Sequence, residues 1–332
     1  MVIGMRRFAA TVPIVVVALL VLAQAAPTQA APKMPRVGML CSPTCINTSI
    51  DAMFDELRKL GWVEGTRMAV ERQQAAARFD QLPGLAADLV RSRPDLIVAI
   101  GPQPARAARD ATSEIPIVTL FVADPVGMGL ASSLARPGGN VTGVTTLVPG
   151  DFNGKVLQIL RELLPRATRL AALVNPSNEI YRLLFPKEAP RAAAALGFQL
   201  DVVEAREAGE VPAAIAAAKA GGAQVLYIVA DSVFSTPSNR VPDLAAQAGL
   251  PSMYLFAVHV QAGGLVSYGP DTSALARRAA HYVDRILKGA KPDELPIEQP
   301  SKFLLAINLR TAKSLGVDIP PSLLARADEV FE

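Results

Sequence analysis

The chain has 332 residues, with 33 lysines and arginines against 30 aspartates and glutamates, a formal charge of +3 at pH 7. That length allows one large or two medium domains with proper cores, and a charge so near zero gives no electrostatic reason for a nucleic-acid partner. Two cysteines and two histidines are too few for a disulfide-built scaffold or a metal site, so no metal and no cofactor is expected.

Residues 1–30 read as a signal peptide. Arg6 and Arg7 give a basic start, and Ile14 to Leu22 is an apolar run well short of the roughly 20 residues a bilayer span needs. Ala23-Gln24-Ala25 puts small residues where a signal peptidase reads, and a second acceptable cut follows Ala30. Cleavage after Ala30 leaves 31 cations against 30 acids, a formal charge of +1. No later segment is long and apolar enough to span a bilayer, so the mature chain is expected to be periplasmic, without stable membrane insertion.

Val37 to Leu40 predicts a strand. Ile50, Met53, Phe54, Leu57 and Leu60 then recur at helical spacing between a Thr48/Ser49 cap and Gly61. Leu82 to Val90 repeats the helical signal, and the unbroken run "DLIVAI" suits a strand covered on both faces. A helix through "ARAARDATSE", the strand "IPIVTLFVA", a short helix around "GLASSLA" and the strand "NVTGVTT" follow. After the connector "VTTLVPGDFNGK" the alternation starts again, with Phe152, Val156, Ile159, Leu160 and Leu163 on one helix face. Next come "RLAALVN", "APRAAAALG", "FQLDVVEA", "VPAAIAAAKAGG", "AQVLYIVAD" and "VPDLAAQAG", leading to "LPSMYLF". Two successive α/β units of similar size predict two doubly wound domains, each a three-layer sandwich, over a single β/α barrel.

Open parallel sheets bind ligands beyond the carboxyl ends of their strands. That rule selects "CSPTC", "GPQPA", "ADPVG", "NPSN" and "ADSVFSTPSN", loops rich in hydroxyls, amides and prolines. Each such residue has a plainer role as a helix cap; taken as a set they point to a binding site. Signatures of catalysis are weak. His281 lies on an amphipathic helix face and His259 between Val258 and Val260, and there is no nucleophile elbow, phosphate loop or H-E-x-x-H pair.

The stretches "GWVEGTRMAVE", "IPIVTLFVADPVGMGLASSLARPGGNVTGVTTL" and "QAGGLVSYGPDTSALARRAAHYVDRILKGAKPDELPIEQPSKFLLAINLRTAKSLGVDIPPSLLARADEV" closely resemble solute-binding proteins of ABC transporters, in the family that includes tryptophan- and tyrosine-binding members. The likeness covers about Arg36 to Val330. It implies a periplasmic-binding-protein type I fold, two Rossmann-like lobes joined by a hinge with ligand in the cleft. The first lobe would be residues 36–145 plus about 256–296, and the second residues 146–255 plus about 297–332. It also implies hinge closure around a small solute and delivery to an ABC permease at the inner membrane. An extracytoplasmic sensor signalling to a membrane partner would have the same lobes. Aromatic amino-acid binders of this family often carry an Asn-Thr or Asp-Asn pair in the loop after the second lobe's strand, where this chain reads "ADSVFSTPSN".

The residue types in these loops fit an amino-acid-like or small carboxylate solute. Ser42, Thr44, Thr145, Thr146 and Ser235 are candidate donors to a carboxylate, Gln103 a further polar contact, and Asp124 or Asp231 a partner for an ammonium group. Phe234, Tyr254, Phe256 and Tyr268 are candidate apolar or stacking walls. Cys41 and Cys45, the only cysteines, are four positions apart in the first loop. In an oxidising compartment a turning loop lets such a pair reach the roughly 4.4 to 6.8 Å Cα separation of a disulfide. They form either a bridge that pre-orders the loop or two free, half-buried thiols. Their C-x-x-x-C spacing differs from the C-x-x-C of thioredoxin-like redox loops.

Overall fold

Each half of the chain closes its own parallel sheet. The structure, a computed structural model, describes residue 1 and residues 34–332 except 43, 147–151 and 236–239. The expected signal peptide, beyond residue 1, and residues 147–151 of the "VTTLVPGDFNGK" connector lie outside the described residues.

The first half runs β1 (Arg36–Cys41), α1 (Thr48–Lys59), β2 (Ala69–Gln74), α2 (Leu82–Arg91), β3 (Leu96–Ile100), α3 (Pro102–Ala111), β4 (Ile117–Val122) and β5 (Val141–Thr145). Its strands pair in parallel in the order β2-β1-β3-β4-β5. The wholly apolar β3 is buried along its length because helices cover both sheet faces. Leu82, Ala86 and Leu89 of α2 and Ala105 and Ala108 of α3 pack on one face; Ile50, Met53 and Leu57 of α1 pack on the other. α1 is capped by Asn47, whose side chain accepts from the N–H groups of Ser49 and Ile50, rather than by Thr48 or Ser49. "GLASSLA" forms turns in place of the predicted short helix, since its backbone bonds back to Pro125 and to Pro137.

The second half runs α4 (Phe152–Leu163), β6 (Arg169–Val174), α5 (Glu179–Ala195), β7 (Gln199–Glu204), α6 (Val211–Ala220), β8 (Val225–Ile228), α7 (Val241–Gln247), β9 (Ser252–Tyr254), α8 (Ala257–Gln261) and β10 (Val266–Pro270). It continues through α9 (Thr272–Leu287), β11 (Phe303–Asn308), α10 (Leu309–Ser314), α11 (Pro321–Leu324) and β12 (Glu329–Phe331). The second sheet has the order β12-β11-β10-β9-β8-β6-β7, parallel except for the antiparallel pair β10 and β11. α4 and α5 cover one face, α6 and α7 the other. These are two Rossmann-like lobes of the periplasmic-binding-protein type I arrangement.

The return to the first lobe starts later than the predicted 256. β10 bonds to β9 and β11, which puts residues 266–270 in the second sheet. The segment that packs on the first sheet is α9, through Leu275, Ala276, Ala279 and Val283 against Val37, Met39 and Met53. The chain therefore crosses between lobes after β5, after β10 and before β11. The Thr145 N–H donates to the Glu298 carbonyl at 2.8 Å, and the Asp271 N–H to the Lys302 carbonyl at 3.2 Å, so the crossings are bonded side by side. Among the described residues no helix is long and apolar enough to cross a membrane.

Candidate functional site

A cavity of about 610 Å³ lies between the lobes at the carboxyl ends of their strands. From the first lobe it is lined by Ser42, Thr44, Asn47, Gln103, Phe121 and Thr146, and from the second by Asn178, Tyr181, Asp231, Phe234, Ser235, Phe256 and His259. Of the predicted contacts, Ser42, Thr44, Gln103, Thr146, Asp231, Phe234, Ser235 and Phe256 all face this one space.

Four predicted residues do not line it. Asp124 turns back on its own loop, where Oδ1 accepts from the Gly127 N–H at 2.7 Å, the helix-cap role that an Asp-Pro turn offers. Thr145 is buried in the crossing strand. Tyr254 is enclosed in the second lobe's core, its ring stacked on His259 at 5.2 Å. Tyr268 stacks between Phe152 and Phe303 at 6.2 and 5.6 Å.

Asp231 is the most constrained polar group of the site. It follows β8, and its side chain is only 7% exposed. Oδ1 accepts from the Val233 N–H at 2.7 Å and Asn175 Nδ2 at 3.2 Å, while Oδ2 accepts from Asn178 Nδ2 at 2.7 Å. These partners are neutral, and Asp231 has no ion pair among the described residues. Burial pushes its carboxyl above the usual range, against the pull of the bonds from Val233, Asn175 and Asn178 and a contribution from the Gln103 amide. Gln103 Nε2 reaches toward it from the first turn of α3 without making a hydrogen bond of full geometry.

The hydroxyls are largely engaged. Ser42 Oγ donates across the cleft to Ser232 Oγ at 3.4 Å, Thr44 Oγ1 to the Ile46 carbonyl at 3.3 Å, and Ser235 Oγ to the Asp231 carbonyl at 3.0 Å. His259 Nδ1 faces the Phe256 carbonyl at 3.3 Å, which makes Nδ1 the protonated nitrogen. Burial lowers its pKa to about 4, with the bond to Phe256 opposing, so the ring is neutral near pH 7.

Cys41 and Cys45 are bridged, with S–S 2.01 Å and Cα–Cα 5.3 Å. The bridge fixes the loop that carries Ser42 and Thr44 to the end of β1. Sequence reasoning missed Phe121, Tyr181 and Asn178. Phe121 sits at φ +64° where the β4–β5 register shifts between Thr119 and Val122. The bulge turns its ring into the cleft, 6.1 Å from Phe256 of the other lobe. Opposite the bulge, Gly143 at φ +132° has no room for a Cβ, which would lie 2.3 Å from the Thr119 carbonyl oxygen. Asn178 was detectable only as part of the "NPSN" loop.

The family described as ABC transporter substrate binding protein matches residues 37–331. The chain belongs to this family. This substrate-binding protein is 27% identical over 261 residues to a tyrosine-binding protein of Clostridioides difficile, across 79% of this chain and 74% of that one. It is also similar to the solved structure of a conserved domain protein from Vibrio cholerae, with 28% identity and a TM-score of 0.81 over 90% of this chain and 100% of the other. A Streptococcus pneumonia ABC domain in complex with L-Trp shares the fold at 22% identity and a TM-score of 0.81, covering 90% and 99% of the two chains. As a member of its family the protein is an extracytoplasmic ligand-binding component of an ABC transporter.

Proposed function

We propose that the protein is a periplasmic receptor that clasps a small, amino-acid-like solute bearing an ammonium group between its lobes and hands it to an ABC permease at the inner membrane. The observation that carries this reading is Asp231, a buried carboxylate facing the interlobe cavity with only neutral partners among the described residues. A solute ammonium is the missing counter-charge, whereas a carboxylate without one would meet a like charge. The aromatic walls Phe121, Phe234 and Phe256 fit an apolar or aromatic side chain. Ser42, Thr44, Gln103, Thr146 and Ser235 complete the contact set. The relatives described as tyrosine-binding and as bound to L-Trp accord with it.

Binding is a population shift towards the closed form. Lobe one, residues 36–145 with the α9 segment, would move against lobe two about the three crossings. Cross-cleft contacts available to the closed form are Ser42 with Ser232, Phe121 with Phe256, and the Arg106–Glu179 ion pair at 2.9 Å. A thermal-shift screen over amino acids, aromatic amines and small carboxylates tests the reading. A solute at 100 times its dissociation constant should add about 2.7 kcal/mol of stability. Stabilisation by ammonium-bearing compounds is expected; stabilisation by carboxylates alone, or by nothing in a broad solute screen, would contradict it.

A further inference from the structure

The charges around the cavity go beyond naming an ammonium group. Arg240 is the only cationic side chain lining it among the described residues, and its Nε donates to Asp243 Oδ2 at 2.6 Å while the side chain is 72% exposed. Arg240 and Asp243 neutralise each other, so among the described lining residues the fixed charge facing the solute is the single negative charge of Asp231.

Few of the neutral side-chain donors in the described lining are left over for a carboxylate. A carboxylate has about four lone-pair sites to satisfy when it leaves water. Three of the candidate donors, Ser42, Thr44 and Ser235, each own one hydroxyl proton; Ser42 directs it at Ser232 and Thr44 at the Ile46 carbonyl, while Ser235 lies between two acceptors, the Asp231 carbonyl and His259 Nε2. The first turn of α3 carries Pro102 and Pro104, which have no N–H. The N–H groups of Ser49 and Ile50 at the start of α1 are taken by Asn47 Oδ1. Gln103 Nε2 is the one buried, unpaired side-chain donor of the described cavity lining. With Nδ1 facing the Phe256 carbonyl, His259 Nε2 is an acceptor lying 3.3 Å from the Ser235 hydroxyl, so the ring offers no N–H to an anion.

We infer that the solute class is an aromatic primary amine of net charge +1, with its ammonium on Asp231 and its ring against Phe121 and Phe256, and that an α-carboxylate is not required. This rests on the receptor reading above and narrows it. A zwitterion would bring its carboxylate into a cleft whose one cation among the described lining residues, Arg240, is already paired with Asp243; a monocation matches the charge of that lining.

Calorimetric titration of the unmodified mature protein with matched pairs decides: tryptamine against L-tryptophan, tyramine against L-tyrosine, phenethylamine against L-phenylalanine, with 3-phenylpropionate as the carboxylate-only probe. The expected result is that at least one amine binds as tightly as its amino acid or more tightly, that 3-phenylpropionate does not bind, and that Asp231→Asn weakens the amine at least tenfold. An amino acid binding more than threefold tighter than its amine in every pair that binds would overturn the inference and leave the receptor reading standing. Binding of 3-phenylpropionate alone would overturn both. No binding by any member of the panel would overturn the aromatic-amine class, whereas the receptor reading fails only if the broad solute screen is also empty.

Discussion

Replacing Asp231 by asparagine keeps the side chain's volume and removes its charge. In the structure that charge is held by the Val233 N–H and the Asn175 and Asn178 amides at 2.7 to 3.2 Å, and no cation among the described residues balances it. Removing one member of a buried, hydrogen-bonded charge pair costs about 2 to 5 kcal/mol, which is roughly 30-fold to several-thousand-fold in dissociation constant. Ser235→Ala removes one hydroxyl that already bonds the Asp231 carbonyl, so its cost should stay near 0.5 to 1.5 kcal/mol, or about tenfold at most. Without solute the order of effects changes. Burial already disfavours the ionised carboxyl, so neutralising it offsets the weakened bonds to Asn175 and Asn178, and the melting temperature of Asp231→Asn should stay close to that of the wild type. Calorimetric titration and thermal melts on both variants, using the solute found by screening, check the pair of expectations. A wild-type-like affinity in Asp231→Asn would remove the acidic anchor from the site. A variant that no longer folds would show that the residue's main work is structural.

The disulfide should be complete in protein from an oxidising compartment: thiol titration of unreduced, denatured protein should find no free thiol. Cys41→Ser/Cys45→Ser should weaken solute binding through a less ordered loop while changing global stability by less than the roughly 3 kcal/mol expected of a 15-residue loop. Arg106→Ala removes the cross-cleft pair with Glu179, and because both side chains are about one-third exposed the affinity should fall only a few-fold, the loss shrinking further in high salt. His259 has its pKa lowered from 6.5 to about 4 in the folded protein. The unfolded chain therefore takes a proton first, and up to about 3 kcal/mol of stability present above pH 6.5 should be lost as pH falls from 6.5 through 4. The raised Asp231 pKa acts in the opposite sense, so the decisive comparison is with His259→Gln, whose melting temperature should fall less over that window.

What could be read from the sequence was what depends on local pattern. The buried apolar run of β3 and the helical spacing in α1 and α4 belong to segments whose neighbours on both sides are dictated by periodicity. β2, with the mostly polar sequence AVERQQ and a half-exposed edge position, gave no such signal. The site divided in the same way. The strand-end rule found the loops of Ser42, Gln103 and Asp231, but it could not separate Asp231 from Asp124: both follow an alanine after a strand. One turns back to Gly127 while the other is held open to the facing lobe by two asparagines from the loop after β6 and the start of α5. Phe121 was hidden because strict alternation along β4 hides a bulge that reverses one side chain. Tyr254 and Tyr268 are near the cleft in sequence, but core packing on His259, Phe152 and Phe303 keeps them out of it. The placement of α9 over the first sheet depends on a third crossing that no local pattern announces.

A crystal structure of the protein with its tightest-binding solute tests the central claim most directly. The account predicts the solute in the cavity between the lobes, its ammonium nitrogen about 2.7–2.9 Å from the Asp231 carboxylate and its apolar part against Phe121 and Phe256. A solute bound outside that cavity, or inside it with its nitrogen turned away from Asp231, would contradict it.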